Sequence, residues 1–247
     1  MDRATLSRIA HRDHPIAAPV SEAQARVLLS RLSPPPNGGV LDLGCGAGVW
    51  LAELLDSRPD LTGVGVDIAL PPDVADGRSE RITWVEADAA RYEAEPVDTV
   101  ICIGASHAFG GLAPTLDAVR RHLRPGGQVL LGDGLWERPP SVAAQEALQA
   151  GPDEFPDLPG LLSQARAAGF EPGYGHVSTL GEWDDYEWSW TGALTEWALR
   201  EAPSQAERAE ALAVAQQHRD EWLLGYRGEL GFVFVVLNDA HPEGVRA

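Results

Sequence analysis

Short apolar runs of strand length alternate along most of the chain with stretches whose apolar residues recur at helical spacing. The first such stretch predicts a helix over 21–32, with Ser21 as N-cap and Pro34-Pro35-Pro36 as the stop. A strand is predicted over 39–43, a helix over 49–57 and a second strand over 61–67, whose alternating glycines and valines point to close packing against neighbouring backbone. Strands follow over 82–85 and 97–103; the second, "VDTVICI", is a continuous apolar run of the kind buried on both faces. A helix over 114–123 ends at the turn signal Pro125-Gly126-Gly127, and 128–132 is the fifth strand.

Beyond that point the rhythm changes. Residues 134–157 read as an irregular, Pro-rich insertion with a helical piece over 142–149, followed by a helix over 158–168 and a strand over 174–180. A long segment over 181–228 carries two helical stretches before "FVFVVL" at 232–237 supplies a last strand. Repeated strand–helix alternation predicts an α/β domain with a mostly parallel sheet and helices on both faces. With no internal repeat and no long linker, 1–247 is expected to be one domain, with cap elements at 1–36, 134–157 and 181–228. Open parallel sheets bind ligands beyond the C-terminal ends of their strands, which is where both insertions start. Trp183, Trp188, Trp190 and Trp197 fall in the second insertion with Tyr186; they can core a helical lid or line a site for an organic or cationic ligand.

Charge narrows the partners. The 247 residues carry 19 Lys plus Arg against 37 Asp plus Glu, a net charge of -18, which is the wrong sign for gripping a phosphate backbone. Nucleic acid is therefore disfavoured, and neutral or cationic ligands are favoured over polyanions. Cys45 and Cys102 have no CxxC spacing and read as small buried thiols. The start MDRATLSRIAHRDH lacks the apolar core of a signal peptide and no run of 18 apolar residues occurs, so no membrane association and a cytoplasmic location are expected.

The candidate chemistry begins at "VLDLGCGAG", residues 40–48. A glycine-rich turn directly after a strand lets backbone approach a ligand and opens a helix N-terminus. Alone it fits a dinucleotide, an adenosine-type cofactor or a turn without ligand. The spacing Gly44-Cys45-Gly46-Ala47-Gly48 is not the GxGxxG of dinucleotide sites, and Asp42 just before it would repel a pyrophosphate while suiting a cationic amino group. Asp67 ends the second strand, where an acid can accept both ribose hydroxyls, and Asp88 after the third strand can accept from an adenine amino group.

In these motifs the sequence resembles the class I S-adenosylmethionine-dependent methyltransferases. "VLDLGCGAG" is similar to their first motif, "GVGVDIA" to their second with Asp67 as the ribose acid, and "VEADAA" to their third with Asp88 and Ala89 near adenine. "HRDHPIAAPVS", "CIGASHAFGG", "GDGLWERPP" and "EWDDYEWSW" resemble a bacterial group of small-molecule-type members. The resemblance implies a Rossmann-like sheet of seven strands, mostly parallel, with an antiparallel last strand between the fifth and sixth. Residues 181–228 depart from the short turn usual before that strand and are expected to form a helical lid between strands six and seven that governs acceptor choice.

The implied cofactor is S-adenosyl-L-methionine, with His14, Asp42, Gly44, Gly46, Gly48, Asp67, Ile68, Asp88, Ala89 and Gly104 as its expected contacts. The implied activity is methyl transfer by in-line displacement to O, N or S of a small organic acceptor. Alternatives are methylation of RNA or protein, or a non-catalytic adenosylmethionine-binding regulator. His107, in a Gly-rich loop past the fourth strand, is the candidate base, because histidine is the residue type whose unperturbed side chain, at about 6.5, titrates in the useful range. His11, Ser106, Trp136, Tyr186, Trp188 and Trp190 are candidate acceptor contacts. His11 and His14 lack a nearby carboxylate or thiol cluster to complete a metal site, so no metal is expected. The absent DPPY-type and Pro-Cys motifs argue against adenine, amide and cytosine-C5 methylation, and a monomer or homodimer is expected.

Overall fold

The computed structural model describes residue 1 and residues 3–75 and 80–240. By its internal contacts the chain divides into two compact units: a sheet unit of Glu22–Leu135, Pro156–Val177 and Phe232–Ala247, and a helical unit of Met1–Ser21, Trp136–Phe155 and Ser178–Gly231.

The sheet unit is built on β1 (Gly39–Leu43), β2 (Thr62–Asp67), β3 (Ile82–Glu86), β4 (Val97–Ile103), β5 (Leu123–Trp136), β6 (Phe170–Val177) and β7 (Leu230–Asp239), in the order 3-2-1-4-5-7-6. Strand β1 pairs in parallel with β2 and β4, β2 with β3, and β4 with β5, whereas β6 and β7 run antiparallel. This is the Rossmann-like, mostly parallel sheet with an antiparallel last strand that the family resemblance implied. Its order reverses at β1 and β4, so the loops after these strands flank the switch point where such sheets take ligands.

Helices α2 (Glu22–Leu29), α3 (Val49–Ser57), α6 (Leu112–Arg121) and α8 (Leu158–Ala167) serve this sheet. Helix α6 shows why its sequence is helical: Leu112, Thr115, Leu116 and Val119 recur at helical spacing and are all buried. Helix α3 buries Trp50, Leu51, Leu54 and Leu55, and Leu51 occupies the space over Gly63 of β2, where a Cβ would stand 2.6 Å from it. Asp157 caps α8 by accepting from the Gly160 amide at 2.8 Å. The core runs through the sheet from Leu41, Leu43, Val100 and Cys102 to Val129, Leu131, Phe170 and Val235.

The bounds of β5, β6 and β7 differ from the expectation: β5 runs on to Trp136, into the segment expected to be an irregular insertion, and β7 spans Leu230–Asp239 rather than 232–237. Strand β5 starts at Leu123, because Pro125-Gly126-Gly127 is accommodated as an irregularity in the β4–β5 ladder, whose register jumps between Val97 and Thr99. Gly126 takes a φ of 76° there, a conformation that glycine permits without Cβ strain. Strand β6 covers Phe170–Val177 rather than 174–180: it starts earlier because Pro172-Gly173 is absorbed at a register shift opposite β7, and it stops earlier because Thr179 caps α9. The loop expected after β4 forms a short helix, α5 (Ser106–Phe109), and a further turn of helix, α4 (Pro72–Ala75), follows β2.

The helical unit contains α1 (Arg3–Ala10), α7 (Val142–Leu148), α9 (Leu180–Arg200), α10 (Gln205–Asp220) and a π-helical turn over Glu221–Tyr226. The chain enters this unit past β5 and again past β6, and leaves it into β7. Helix α9 opens with a capping box in which the Thr179 hydroxyl accepts from the Glu182 amide at 3.2 Å and Glu182 accepts from the Thr179 amide at 2.9 Å. Its buried face is Glu187, Thr191, Leu194 and Ala198. Among the described residues no helix is long and apolar enough to cross a membrane.

Candidate cofactor and acceptor site

The turn after β1 is held by backbone. The amides of Gly44 and Cys45 both donate to the Val66 carbonyl, at 2.8 and 3.0 Å, and Gly48 donates to Cys45 at 2.7 Å. Gly44, Gly46 and Gly48 all have positive φ, at 76°, 51° and 71°. Their surroundings separate their roles. A Cβ on Gly44 would lie 2.4 Å from that of Ala105, and one on Gly48 would lie 2.2 Å from the Trp84 ring, whereas around Gly46 nothing comes within 4 Å. Gly44 and Gly48 are thus required by packing, and Gly46 leaves an open face of backbone.

Asp67 closes the turn. One of its oxygens accepts from the Gly46 amide at 2.9 Å and the other from the Ala69 amide at 3.0 Å, so the carboxylate at the end of β2 is fixed against the glycine turn. The next residue, Ile68, is 73% exposed, an unusual setting for a large aliphatic side chain and suitable for the face of a planar ring. Asp88 accepts from the Ala90 amide at 3.0 Å and pairs at 3.4 Å with the exposed Arg91, while Ala89 is buried.

Beneath the turn, Asp42 is 2% exposed and its Oδ2 has no hydrogen-bond partner. Burial, reinforced by the charge of Asp67, pushes its carboxyl up to about 8. A buried carboxyl oxygen left without a partner costs stability unless a ligand supplies one, so Asp42 marks a place for a donor, best a cationic one that also favours its ionised form.

Past β4, the Gly104 amide donates to Gly132 at 2.9 Å, and Gly104 (φ 66°) has open space where a Cβ would be. The Ser106 hydroxyl donates to Asp133 of β5 at 2.8 Å, and the same carboxylate oxygen accepts from the Gly134 amide at 2.9 Å. Asp133 is 5% exposed, and burial holds its carboxyl above the ordinary range against the opposing pull of Ser106, Gly134 and His107. His107 itself is exposed in α5. The sheet unit therefore brings Asp42, the three glycines, Asp67, Ile68, Asp88, Ala89, Gly104, Ser106 and His107 to the C-terminal ends of β1 to β4.

The remaining candidates belong to the helical unit and do not form one group. His11 and His14 gather round Tyr186: the Tyr186 hydroxyl is 3.1 Å from His11 Nε2, and the His14 ring meets the Tyr186 ring edge-on at 5.4 Å. His11 Nδ1 lies 2.8 Å from the Ser7 carbonyl, which can only accept, so Nδ1 carries the proton. Burial lowers the His11 pKa, which leaves Nε2 free to accept from Tyr186. Trp190 stacks on His218 at 4.0 Å, Trp188 is half-exposed against Trp222 and Arg219, and Trp136 packs on Phe155. A buried carboxylate, Glu187, accepts from the Tyr226 hydroxyl and is bonded to His218 Nε2, both at 2.7 Å.

Sequence reasoning missed Trp84 and the Glu187–Tyr226–His218 group. Trp84 had a signal: Gly65 lies beside it in the β2–β3 register and, like Gly48, has no room for a Cβ because of that ring. Glu187 had none, since an acid inside "EWDDYEWSW" reads as a solvated helix face. Both cysteines are free and buried, with burial raising their pKa values, and among the described residues no group of three or more His, Cys, Asp or Glu is placed to hold a metal ion.

Residues 20–220 match the family model of a methyltransferase domain. The protein YjhP of Escherichia coli (strain K12) is 30% identical over 197 residues, 76% of this chain and 79% of that protein. The X-ray structure of YjhP superposes with a TM-score of 0.82 at 26% identity, covering 94% of this chain and 98% of that one. An S-adenosylmethionine-dependent methyltransferase from Thiobacillus denitrificans, solved in complex with S-adenosyl-L-homocysteine, superposes equally well, with a TM-score of 0.82 at 26% identity over 96% of this chain and 98% of that one.

Proposed function

Because the chain belongs to the methyltransferase-domain family, we propose that it transfers the methyl group of S-adenosylmethionine to O, N or S of a small organic acceptor. The donor is that of the Thiobacillus relative, whose structure holds the demethylated cofactor. The observation that carries the cofactor reading is the partnerless Oδ2 of buried Asp42 below a glycine turn that Asp67 closes. The residues fit the group: Gly46 and Gly104 leave space for close approach, and Asp42 offers an acceptor suited to an ammonium.

In this reading Asp67 holds the ribose hydroxyls, Ile68 the adenine face, Asp88 and Ala89 the adenine edge. Gly44, Gly46, Gly48 and Gly104 line the methionine portion, and Asp42 holds its amino group. When bound, the cofactor supplies an electrophilic methyl group on a sulfonium. The chain's share of the work is alignment and exclusion of water, together with a place for the proton of an acceptor that carries one. That place is the β4–α5 segment, where Ser106 and His107 stand. A small acceptor is supported by the net charge of -18, which disfavours RNA, and no nucleic-acid partner or membrane is proposed.

The test is turnover of methyl-labelled S-adenosylmethionine with a fractionated metabolite extract. Label in a small organic product supports the reading. Label only in protein or RNA would replace the acceptor class, and cofactor binding without transfer to any fraction would make the protein a regulator.

A further inference from the structure

We propose that Ser106 and Asp133 form a proton-relay pair for the acceptor, and that the acceptor is an organic amine arriving as its ammonium; this rests on the methyl-transfer reading above. Ser106 is half-buried at the start of α5, and Asp133 lies deep in β5 near the switch point of the sheet. Their 2.8 Å hydrogen bond fixes the direction of the Ser106 proton, because a carboxylate can only accept it. Ser106 Oγ is left with lone pairs and no proton of its own to give outward, which makes it an acceptor for an N–H.

The ammonium N–H bond breaks and its electron pair stays on nitrogen. The proton goes to Ser106 Oγ as the Ser106 hydroxyl proton passes to Asp133, which becomes a neutral carboxylic acid. The pair left on nitrogen forms the new bond to the methyl carbon, and the electrons of the broken carbon–sulfur bond stay on sulfur.

Asp133 suits this step. Its burial favours the protonated form, the state it reaches after the relay, while the hydrogen bonds from Ser106 and the Gly134 amide favour the carboxylate it must start from. Cys102 of β4, whose thiol feels the charges of both Asp133 and Asp42, is kept neutral by its own burial and adds no competing charge. Burial also selects the substrate. A desolvated carboxylate attracts a cation and repels a carboxylate-bearing molecule. It can deprotonate an ammonium whose own pKa falls on desolvation, but it is too weak a base for an aliphatic alcohol.

The experiment pairs variants with a panel of small amines, phenols and carboxylic acids, using labelled S-adenosylmethionine. For the accepted amine, Asp133→Asn should lower kcat roughly 10²-fold or more and abolish the acidic limb of the pH profile although His107 remains, with S-adenosylhomocysteine affinity unchanged by calorimetry. Ser106→Ala should reproduce the loss, and Ser106→Thr, which keeps the hydroxyl, should restore most of the rate. This second pair keeps the test sharp if Asp133→Asn folds poorly. Without cofactor, Asp133→Asn should also flatten the pH dependence of urea unfolding in the weakly acidic range. An acidic limb that persists in folded Asp133→Asn, full activity in Ser106→Ala, or turnover confined to phenols or carboxylic acids would overturn the proposal while leaving methyl transfer intact. Absence of any cofactor binding by wild type would instead overturn the reading beneath it.

Discussion

Gly48→Ala and Gly46→Ala place the same methyl group in the same turn and should have different costs. Both residues have positive φ, so each substitution carries the left-handed penalty of about 1–2 kcal/mol. At Gly46 the new Cβ meets nothing within 4 Å, and the backbone penalty is the whole effect. At Gly48 it would stand 2.2 Å from the Trp84 ring, far inside van der Waals contact. Displacing a packed ring adds overpacking strain of about 1–3 kcal/mol, for a total of about 2–5 kcal/mol. Urea unfolding of the two variants, with Trp84→Ala and the double variant completing a cycle, measures this directly. Gly48→Ala should be the less stable, and Trp84→Ala should recover part of its loss because the methyl enters the vacated space. S-adenosylhomocysteine affinity should show the reverse order of sensitivity, with Gly46→Ala losing binding out of proportion to its small loss of stability. Equal destabilisation by the two alanines, or a cycle with no coupling to Trp84, would refute the division of the turn into packed and open glycines.

Three further outcomes are expected. Asp42 has a folded-state pKa of about 8, above its unfolded value, so the folded protein without cofactor holds the extra proton between about pH 4 and 8 and loses stability as pH rises through that window; Asp42→Asn should flatten this loss, and wild type should release a proton on binding cofactor below pH 8, as buffers of different ionisation enthalpy reveal in calorimetry. Glu187→Ala strands the buried Tyr226 hydroxyl and removes the partner of His218, and denaturant unfolding should show a loss of about 3 kcal/mol or more. Trp190→Ala removes the ring stacked on His218 at 4.0 Å, and denaturant unfolding should show a loss of about 1 kcal/mol or more; an unchanged midpoint would contradict a stabilising role for that stack.

Much of the sheet was legible because buried parallel strands announce themselves: "VLDL", "VGVD" and "VDTVICI" are short apolar runs bounded by turn residues, and each is a strand in place. The ends of β5 and β6 were not, because Pro-Gly pairs that normally end strands are absorbed there by register shifts that only the partner strand reveals. The cofactor turn could be read because positive φ and close approach restrict its positions to glycine, and the acids at strand ends follow from the sheet's direction. The pairing of Ser106 at the start of α5 with Asp133 of β5 joins residues far apart in the chain, and no local pattern encodes it. The aromatic residues of α9 were visible as a group, but their separate partners, His218 for Trp190 and Trp222 for Trp188, depend on how α10 and the π-helical turn pack against α9.

In the proposed reading the turn after β1 and the acid ending β2 hold S-adenosylmethionine. Calorimetric titration of the cofactor into wild type and folded Asp67→Ala tests it most directly. Wild type should show saturable one-to-one binding, and the variant a loss of about 1.5–3 kcal/mol for each charged hydrogen bond removed. No binding by wild type, or the same affinity in the variant, would contradict it.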